Sequence, residues 1–286
     1  GVQTCALPIF AAHEYYSDHA HRIVHFFEAQ LAPNLTGLWW KPDEPGWGLS
    51  LAQQDGRLFP VWYTYDAQGR PAWYVGGLLE AQADGSYAGP LYASRGVRFD
   101  AIVGEAGLGT SEVGRISLRP RADGAFDLST TLAGVTQTRR IERTRFGRLP
   151  ACRARDGSRA DGANRSDIWW NPAQPGWGVQ LTEQDRTLVL SWYTYAADGA
   201  PMWVLGALAR AADGSFAGPL TRPQSGTAFS SIAGPATSFP VPTVGDARIE
   251  FLDGERGVFR YTLDGISQSR EIERLRWATR SYSDCQ

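Results

Sequence analysis

An all-β chain of two tandem eight-stranded antiparallel meander barrels, preceded by a short N-terminal helical segment, is the fold class this sequence predicts. Three observations predict it. The stretch Trp39-Trp40-Lys41-Pro42-Asp43-Glu44-Pro45-Gly46-Trp47-Gly48, followed by Trp62-Tyr63-Thr64-Tyr65 and Pro71-Ala72-Trp73, occurs twice. Its second copy reads Trp169-Trp170-Asn171-Pro172-Ala173-Gln174-Pro175-Gly176-Trp177-Gly178, then Trp192-Tyr193-Thr194-Tyr195 and Pro201-Met202-Trp203, with each aromatic 130 positions on (169 minus 39). Second, X-Gly turns recur at short intervals between β-rich runs. Third, the 286 residues include 32 Gly, 11 Trp and a single Met, so the apolar mass lies in aromatics between glycine turns rather than in the Leu, Ala and Met of helical cores. β-Sandwiches are the alternative arrangement of the same strands.

Length and repeat together divide the chain into 1–34 as an N-terminal segment, 35–146 as module one, 147–166 as a linker, 167–278 as module two and 279–286 as a tail. Each module is long enough to enclose one core and is expected to fold on its own. A net charge of -2 supplies no basic field for nucleic acid, and no apolar run reaches the roughly 18 residues of a membrane span. No nucleic-acid partner and no transmembrane segment are therefore expected.

The opening Gly1 to Ile9 resembles translated sequencing-adapter read-through and is set aside from fold reasoning, which implies that the native N-terminus and anything upstream of it lie elsewhere. Residues 11–32 read as a helix, with Phe26, Phe27 and Leu31 at offsets of 3, 4 and 8 from Ile23, and Pro33 ends it. All four histidines fall in this stretch. Asp18, His21 and His25 share one helical face, a donor set able to hold a divalent metal; a solvated helix face is the alternative for the same spacing.

From Leu35 onward the turns Asp55-Gly56, Gln68-Gly69, Asp84-Gly85, Asp123-Gly124 and Ala133-Gly134 delimit strands near 36–41, 47–54, 57–66, 71–80, 86–93, 113–120, 125–132 and 135–145. One long irregular connection remains, about 94–112. In module two the turns lie near Asp185, Asp198-Gly199, Asp213-Gly214, Asp253 to Gly257 and Asp264-Gly265. The run Asp84 to Leu91 returns as Asp213 to Leu220, an offset of 129, so module two is one residue shorter upstream; such differences are expected at turns.

Consecutive hairpins of this number lose their edges by closing into a barrel. Gly37-Leu38-Trp39 on the first strand and Arg143 on the last resemble the lipocalin and avidin-like barrels, in which a Gly-x-Trp packs against an Arg brought near by closure. Module two has Trp169 and Arg274, with Asp167 in place of the glycine. Cys152 lies just before module two and Cys285 just after it. Closure of that module brings its ends together, so a Cys152–Cys285 disulfide is expected, enclosing 133 residues (285 minus 152). It stabilises by about 4–5 kcal/mol on the chain-entropy model and implies an oxidising compartment. Two free thiols are the alternative.

On the second strand Trp47, Leu49 and Leu51 alternate with Gly48, Ser50 and Gln54, and Trp177, Val179 and Leu181 with Gly178, Gln180 and Gln184. On the third and fourth strands both faces carry aromatics, more than one core needs. Three uses are open: lining a small cavity at a barrel mouth, forming an exposed platform for sugar rings, or packing within the barrels and between the two copies. The candidate ligand-binding residues are Trp40, Trp47, Tyr63, Tyr65 and Trp73 with Trp170, Trp177, Tyr193, Tyr195 and Trp203. Trp40, Trp47, Trp170 and Trp177, beside the Pro-Gly loops, are expected to form an accessible patch.

Nothing here marks an enzyme or a cofactor. No histidine occurs after His25, which removes Ser-His, Cys-His and His-metal schemes from both modules. Asp43 and Glu44 pair before Trp47, but module two has Ala173 and Gln174 there. The Trp-Trp-x-Pro, Pro-Gly-Trp-Gly, Trp-Tyr-Thr-Tyr and Pro-x-Trp pattern, over about 36–146 and 167–277, resembles an uncharacterised family of Trp-rich modules near the C-termini of secreted or surface proteins of Gram-negative bacteria. The resemblance implies an extracellular, periplasmic or cell-surface place and an accessory or binding role, and nothing sharper; a glycan or small hydrophobic ligand is what the aromatic patch or barrel mouth suggests. A purely structural or interaction repeat, or the remnant of a larger secreted enzyme, are the alternatives.

Overall fold

The computed structural model describes residues 34–105, 107–232 and 240–285, with the side chains of 282–284 excluded. The helical reading of 11–32 and the candidate metal donors Asp18, His21 and His25 lie outside the described residues. Within these bounds the protein is all-β, apart from a single 3-10 turn at Phe229–Ser231. Among the described residues no helix is long and apolar enough to cross a membrane.

Barrel one comprises β1 (Gly37–Trp40), β2 (Gly48–Gln54), β3 (Arg57–Tyr65), β4 (Pro71–Gly76) with its short continuation β5 (Glu80–Ala81), β6 (Tyr87–Arg95), β7 (Gly109–Pro120), β8 (Phe126–Leu132) and β9 (Val135–Arg143). β1 pairs with both β2 and β9, which closes the ring. After β10 (Cys152–Asp156), barrel two repeats the plan with β11 (Asp167–Trp170), β12 (Gly178–Gln184), β13 (Thr187–Tyr195), β14 (Pro201–Arg210), β15 (Phe216–Thr221), β16 (Thr243–Phe251), β17 (Arg256–Leu263) and β18 (Ile266–Arg274), again closed. The chain ends in β19 (Arg280–Cys285). Closed barrels, not sandwiches, are the architecture.

Asp55-Gly56, Ala133-Gly134 and Asp264-Gly265 each place two successive residues at positive φ, the backbone that two-residue hairpins need for the twist of their strands. The one-residue difference between the modules does not fall at a turn. β14 runs unbroken for ten residues, whereas its counterpart is interrupted after Gly76 and resumes at Leu79, which exchanges backbone hydrogen bonds with Leu58 (2.8 and 3.2 Å). The extra residue is thus absorbed as a bulge inside the strand. The core position is kept, since Leu79 and Leu208 are both fully buried.

At the closed end of each barrel the last strand brings an arginine opposite the first tryptophan: Trp39 pairs with Arg143, Trp169 with Arg274. The Arg274 guanidinium lies 4.9 Å from the Trp169 ring. Gly37 sits beneath the Arg143 guanidinium, where a Cβ would lie 3.3 Å from Nε. In barrel two the corresponding Asp167 carboxylate accepts from Arg274 Nη1 (3.4 Å) and from Arg159 Nη1 (2.9 Å), a buried linker residue. A glycine accommodates one arginine; an aspartate satisfies two. Burial pulls both Arg143 and Arg274 down to about 10, which still leaves them charged at neutral pH.

The linker and tail contribute a two-stranded ribbon of β10 and β19 held by the Cys152–Cys285 disulfide. The ribbon reaches barrel one, where Ser281 pairs with Gln54 and Asp55 N–H donates to Arg280 O (3.1 Å).

The two barrels pack through the outer faces of their second to fourth strands, with the main aromatic and glutamine contacts repeated in reverse. Trp73 lies against Tyr193 and Tyr195 (ring centroids 5.2 and 5.6 Å) and its Nε1 donates to Thr194 O (2.9 Å). Trp203 lies against Tyr63 and Tyr65 (5.7 and 6.0 Å) and its Nε1 donates to Thr64 O (3.3 Å). Gln54 Oε1 accepts from Trp277 and Ala278 N–H, beyond the last strand of barrel two, while Gln184 Oε1 accepts from Phe146 and Gly147 N–H, beyond the last strand of barrel one.

The barrels also exchange plugs. The connection after β6 carries Phe99 and Ile102 into the core of barrel two, where Phe99 meets Trp192 at 5.9 Å. The connection after β15 carries Phe229 and Ile232 onto the core of barrel one, where Phe229 meets Trp62 at 6.0 Å. Gly96 and Gly226 permit this, because a Cβ at either would collide with the Tyr195 or Tyr65 ring beneath it. Each plug is latched by a Gln-x-Arg pair on the last strand: Arg270 Nη2 and Gln268 Nε2 donate to Phe99 O and Asp100 O, and Arg139 Nη2 and Gln137 Nε2 donate to Ile232 O and Ser230 O.

Candidate functional site

The ten candidate aromatics divide sharply by position. Trp47, Tyr63, Tyr65, Trp73, Trp177, Tyr193, Tyr195 and Trp203 are all buried, none more than 7% exposed; Trp40 and Trp170 are half-buried. The expected accessible patch at the Pro-Gly loops is therefore reduced to Trp40 and Trp170. Trp47 and Trp177 turn inward, each under a guanidinium, Arg139 at 5.5 Å and Arg270 at 5.3 Å from the ring. Arg139 is in turn held by the buried Glu44 (2.8 Å), and Arg270 by Gln174, so Glu44 and its amide counterpart are latch components, while the exposed Asp43 pairs with Lys41.

The barrel mouths are occupied. In barrel two Trp169, Trp177, Trp192, Phe216, Phe259 and Tyr261 are buried together and Phe99 closes over them, so the interior is filled with rings. An eight-stranded barrel has room for side chains or for a ligand, and here the side chains take it.

The outer aromatic face is where open space survives. Where β4 and β6 of barrel one meet the β11–β12 loop of barrel two, a crevice of about 350 Å³ is lined by Phe59, Trp73, Val75, Gly76, Gly77, Tyr92, Ser94, Leu108, Thr110, Trp170, Gly176, Trp177, Tyr193 and Leu275. It brings together four of the sequence candidates, Trp73, Trp170, Trp177 and Tyr193. Gly76 and Gly77 belong to the bulge, so the residue that distinguishes module one lines this wall. The polar side chains on the lining are few: the hydroxyls of Ser94 and Thr110, 3.4 Å apart, and the Tyr92 and Tyr193 phenols.

Beyond Ser94 and Thr110 lies a wider groove of about 1270 Å³ between the barrels, bordered by Asp66, Arg70, Arg95, Arg98, Asp198, Arg222 and Asp264 among others. Arg70 pairs with Asp66 (2.7 Å), Arg222 with Asp264 (2.5 Å) and Arg98 with Asp100 (3.1 Å). Arg95 donates to the Asp198 carbonyl (3.0 Å).

Burial raises the tyrosines of the shared face. It pushes Tyr63, Tyr65 and Tyr193 well up and Tyr195 to about 12 from an ordinary 10, the last opposed by a Ser94 hydrogen bond. Groups that hold protons more tightly when folded leave stability intact below pH 10 and remove it as pH climbs through the folded value. The expected result is a near-ultraviolet tyrosinate titration in which these rings ionise late, together with loss of stability above about pH 10. Ordinary titration of all tyrosines with no change in fold would contradict the buried face.

Sequence reasoning missed the plugs. Gly96-Val97-Arg98-Phe99-Asp100-Ala101-Ile102-Val103-Gly104 returns as Gly226-Thr227-Ala228-Phe229-Ser230-Ser231-Ile232-Ala233-Gly234, again 130 on. This Gly-x-x-Phe-x-x-Ile-x-Gly repeat was the signal inside the connection read as irregular. Comparison with protein-family models, with characterised proteins and with solved structures finds no match to this chain.

Proposed function

We propose that this chain is a non-catalytic, extracytoplasmic binding protein that takes a small apolar ligand in the crevice between its barrels. The observation that carries the reading is the crevice, about 350 Å³ walled by Trp73, Trp170, Tyr92, Leu108 and Val75, at the lower end of the volumes that hold small molecules. With about 30 Å³ for a water as yardstick, it has room for roughly ten heavy atoms. A lining this apolar suits a hydrocarbon better than a sugar, whose hydroxyls would find few partners. The Cys152–Cys285 disulfide supports an oxidising location outside the cytoplasm. A purely structural repeat is the second reading, favoured by the eight candidate aromatics that are buried.

Calorimetric titration with octan-1-ol tests the first reading. Saturable binding is expected, weakened about tenfold or more by Trp170→Ala, which removes one half-buried wall without opening a core. Cellotetraose and chitotetraose are expected not to bind. Binding of the sugars but not of octan-1-ol, or of neither, would sink the reading.

A further inference from the structure

We infer that the ligand is a single-chain amphiphile with an anionic head, its chain in the apolar crevice and its head in the groove beside Arg95. This rests on the crevice reading and adds the chemistry of the second end. Ser94 and Thr110 border both spaces, so the apolar crevice and the charged groove share one wall. The polarity changes across that wall, from Trp73 and Trp170 on one side to arginines on the other. Ser94, 8% exposed, and Thr110 are paired across β6 and β7 and place hydroxyls at the junction, where the neck of an amphiphile can hydrogen-bond.

One cation bordering the groove is left to hold an anion, although Asp198 beside it is likewise without an ion pair among the described residues. Four arginines and three aspartates border it, and three of the four arginines already hold carboxylates. Arg95, next in sequence to Ser94, is the exception: it forms no ion pair among the described residues, and its guanidinium donates to the main-chain carbonyl of Asp198. A guanidinium pairs readily with carboxylate or phosphate through two parallel N–H donors. It stands at the end of the strand whose Tyr92 and Ser94 line the crevice, which sets the order chain, neck, head along one direction.

The test compares octanoate, octyl phosphate, octan-1-ol and inorganic phosphate by calorimetry on the full chain and on Arg95→Gln. Arg95 is exposed, so its replacement leaves the core intact. Octanoate and octyl phosphate are expected to bind about tenfold tighter than octan-1-ol, the worth of one charge-assisted hydrogen bond, with the advantage shrinking at high salt. Arg95→Gln is expected to erase the advantage and leave octan-1-ol unchanged. Octyl phosphate binding tighter than octanoate would name a phosphate head; the reverse would name a carboxylate. Equal affinity for the alcohol and the anions, an advantage that survives Arg95→Gln, or inorganic phosphate binding as well as the octyl compounds would each overturn the inference while leaving the crevice standing. Absence of binding by all three octyl compounds would overturn both.

Discussion

Replacing Trp73 and Trp203 together by alanine is expected to lower the unfolding free energy by about 6 kcal/mol, since removal of a buried tryptophan costs about 3–5 kcal/mol. The two rings sit on opposite barrels in one packed interface, each across its own strand pair from a tyrosine the other rests on, so their effects are expected to couple. Each also gives up an indole hydrogen bond across the interface, leaving the carbonyl of Thr194 or Thr64 without it. Urea unfolding monitored by circular dichroism measures the loss as a lower midpoint at similar slope. Trp40→Ala is the control: half-buried, it is expected to cost less than half as much as either single change. Equal effects of Trp73→Ala and Trp40→Ala would mean that the shared face is not a packed core.

Separating the modules is expected to have a still larger effect, the loss of both as stable monomers. A fragment of 163–278 forfeits Phe99 and Ile102 from the mouth of its barrel, strands Arg270 without the Phe99 carbonyl, and exposes Tyr193, Tyr195 and Trp203 to water. A fragment of 34–150 suffers the mirror-image loss of Phe229 and Ile232. Exposed aromatic faces of this kind self-associate, and because both modules carry the same face, each fragment is expected to dimerise or aggregate when alone and to form a one-to-one complex when mixed. Sedimentation analysis of each fragment and of the mixture distinguishes these outcomes. A fragment that stays monomeric and unfolds cooperatively would show that each module folds independently, which is what length and repeat alone suggest.

The candidate site was half legible in the sequence for a reason these residues make plain. Trp62, Tyr63, Thr64 and Tyr65 alternate large side chains on both faces of β3, and the surplus was visible as such. What the surplus packs against was not, because a second-face aromatic reads the same whether it meets water, a ligand or another barrel. Leu108 and Tyr92, which complete the crevice with Trp73 and Trp170, carry no sequence signal at all. They come together only when a connection from one barrel crosses to the other. The Phe-x-x-Ile plugs, by contrast, were legible as a repeat and lost only because the segment lacks strand periodicity.

By itself, the sequence determined the β-meander of the two modules, most of their hairpin turns and the twofold repeat, and pointed to the juxtaposition of Cys152 with Cys285, because alternation, glycine turns and closure are local or follow from pairing neighbours. Only the tertiary structure decided that Gln54 and Gln184 reach across to the opposite barrel, that the plugs are exchanged, and that the length difference falls at Gly76 and Gly77 rather than at a turn. Those outcomes depend on which faces meet, and apolar burial is non-directional, so it drives two such faces together without any residue pair in the sequence announcing the match.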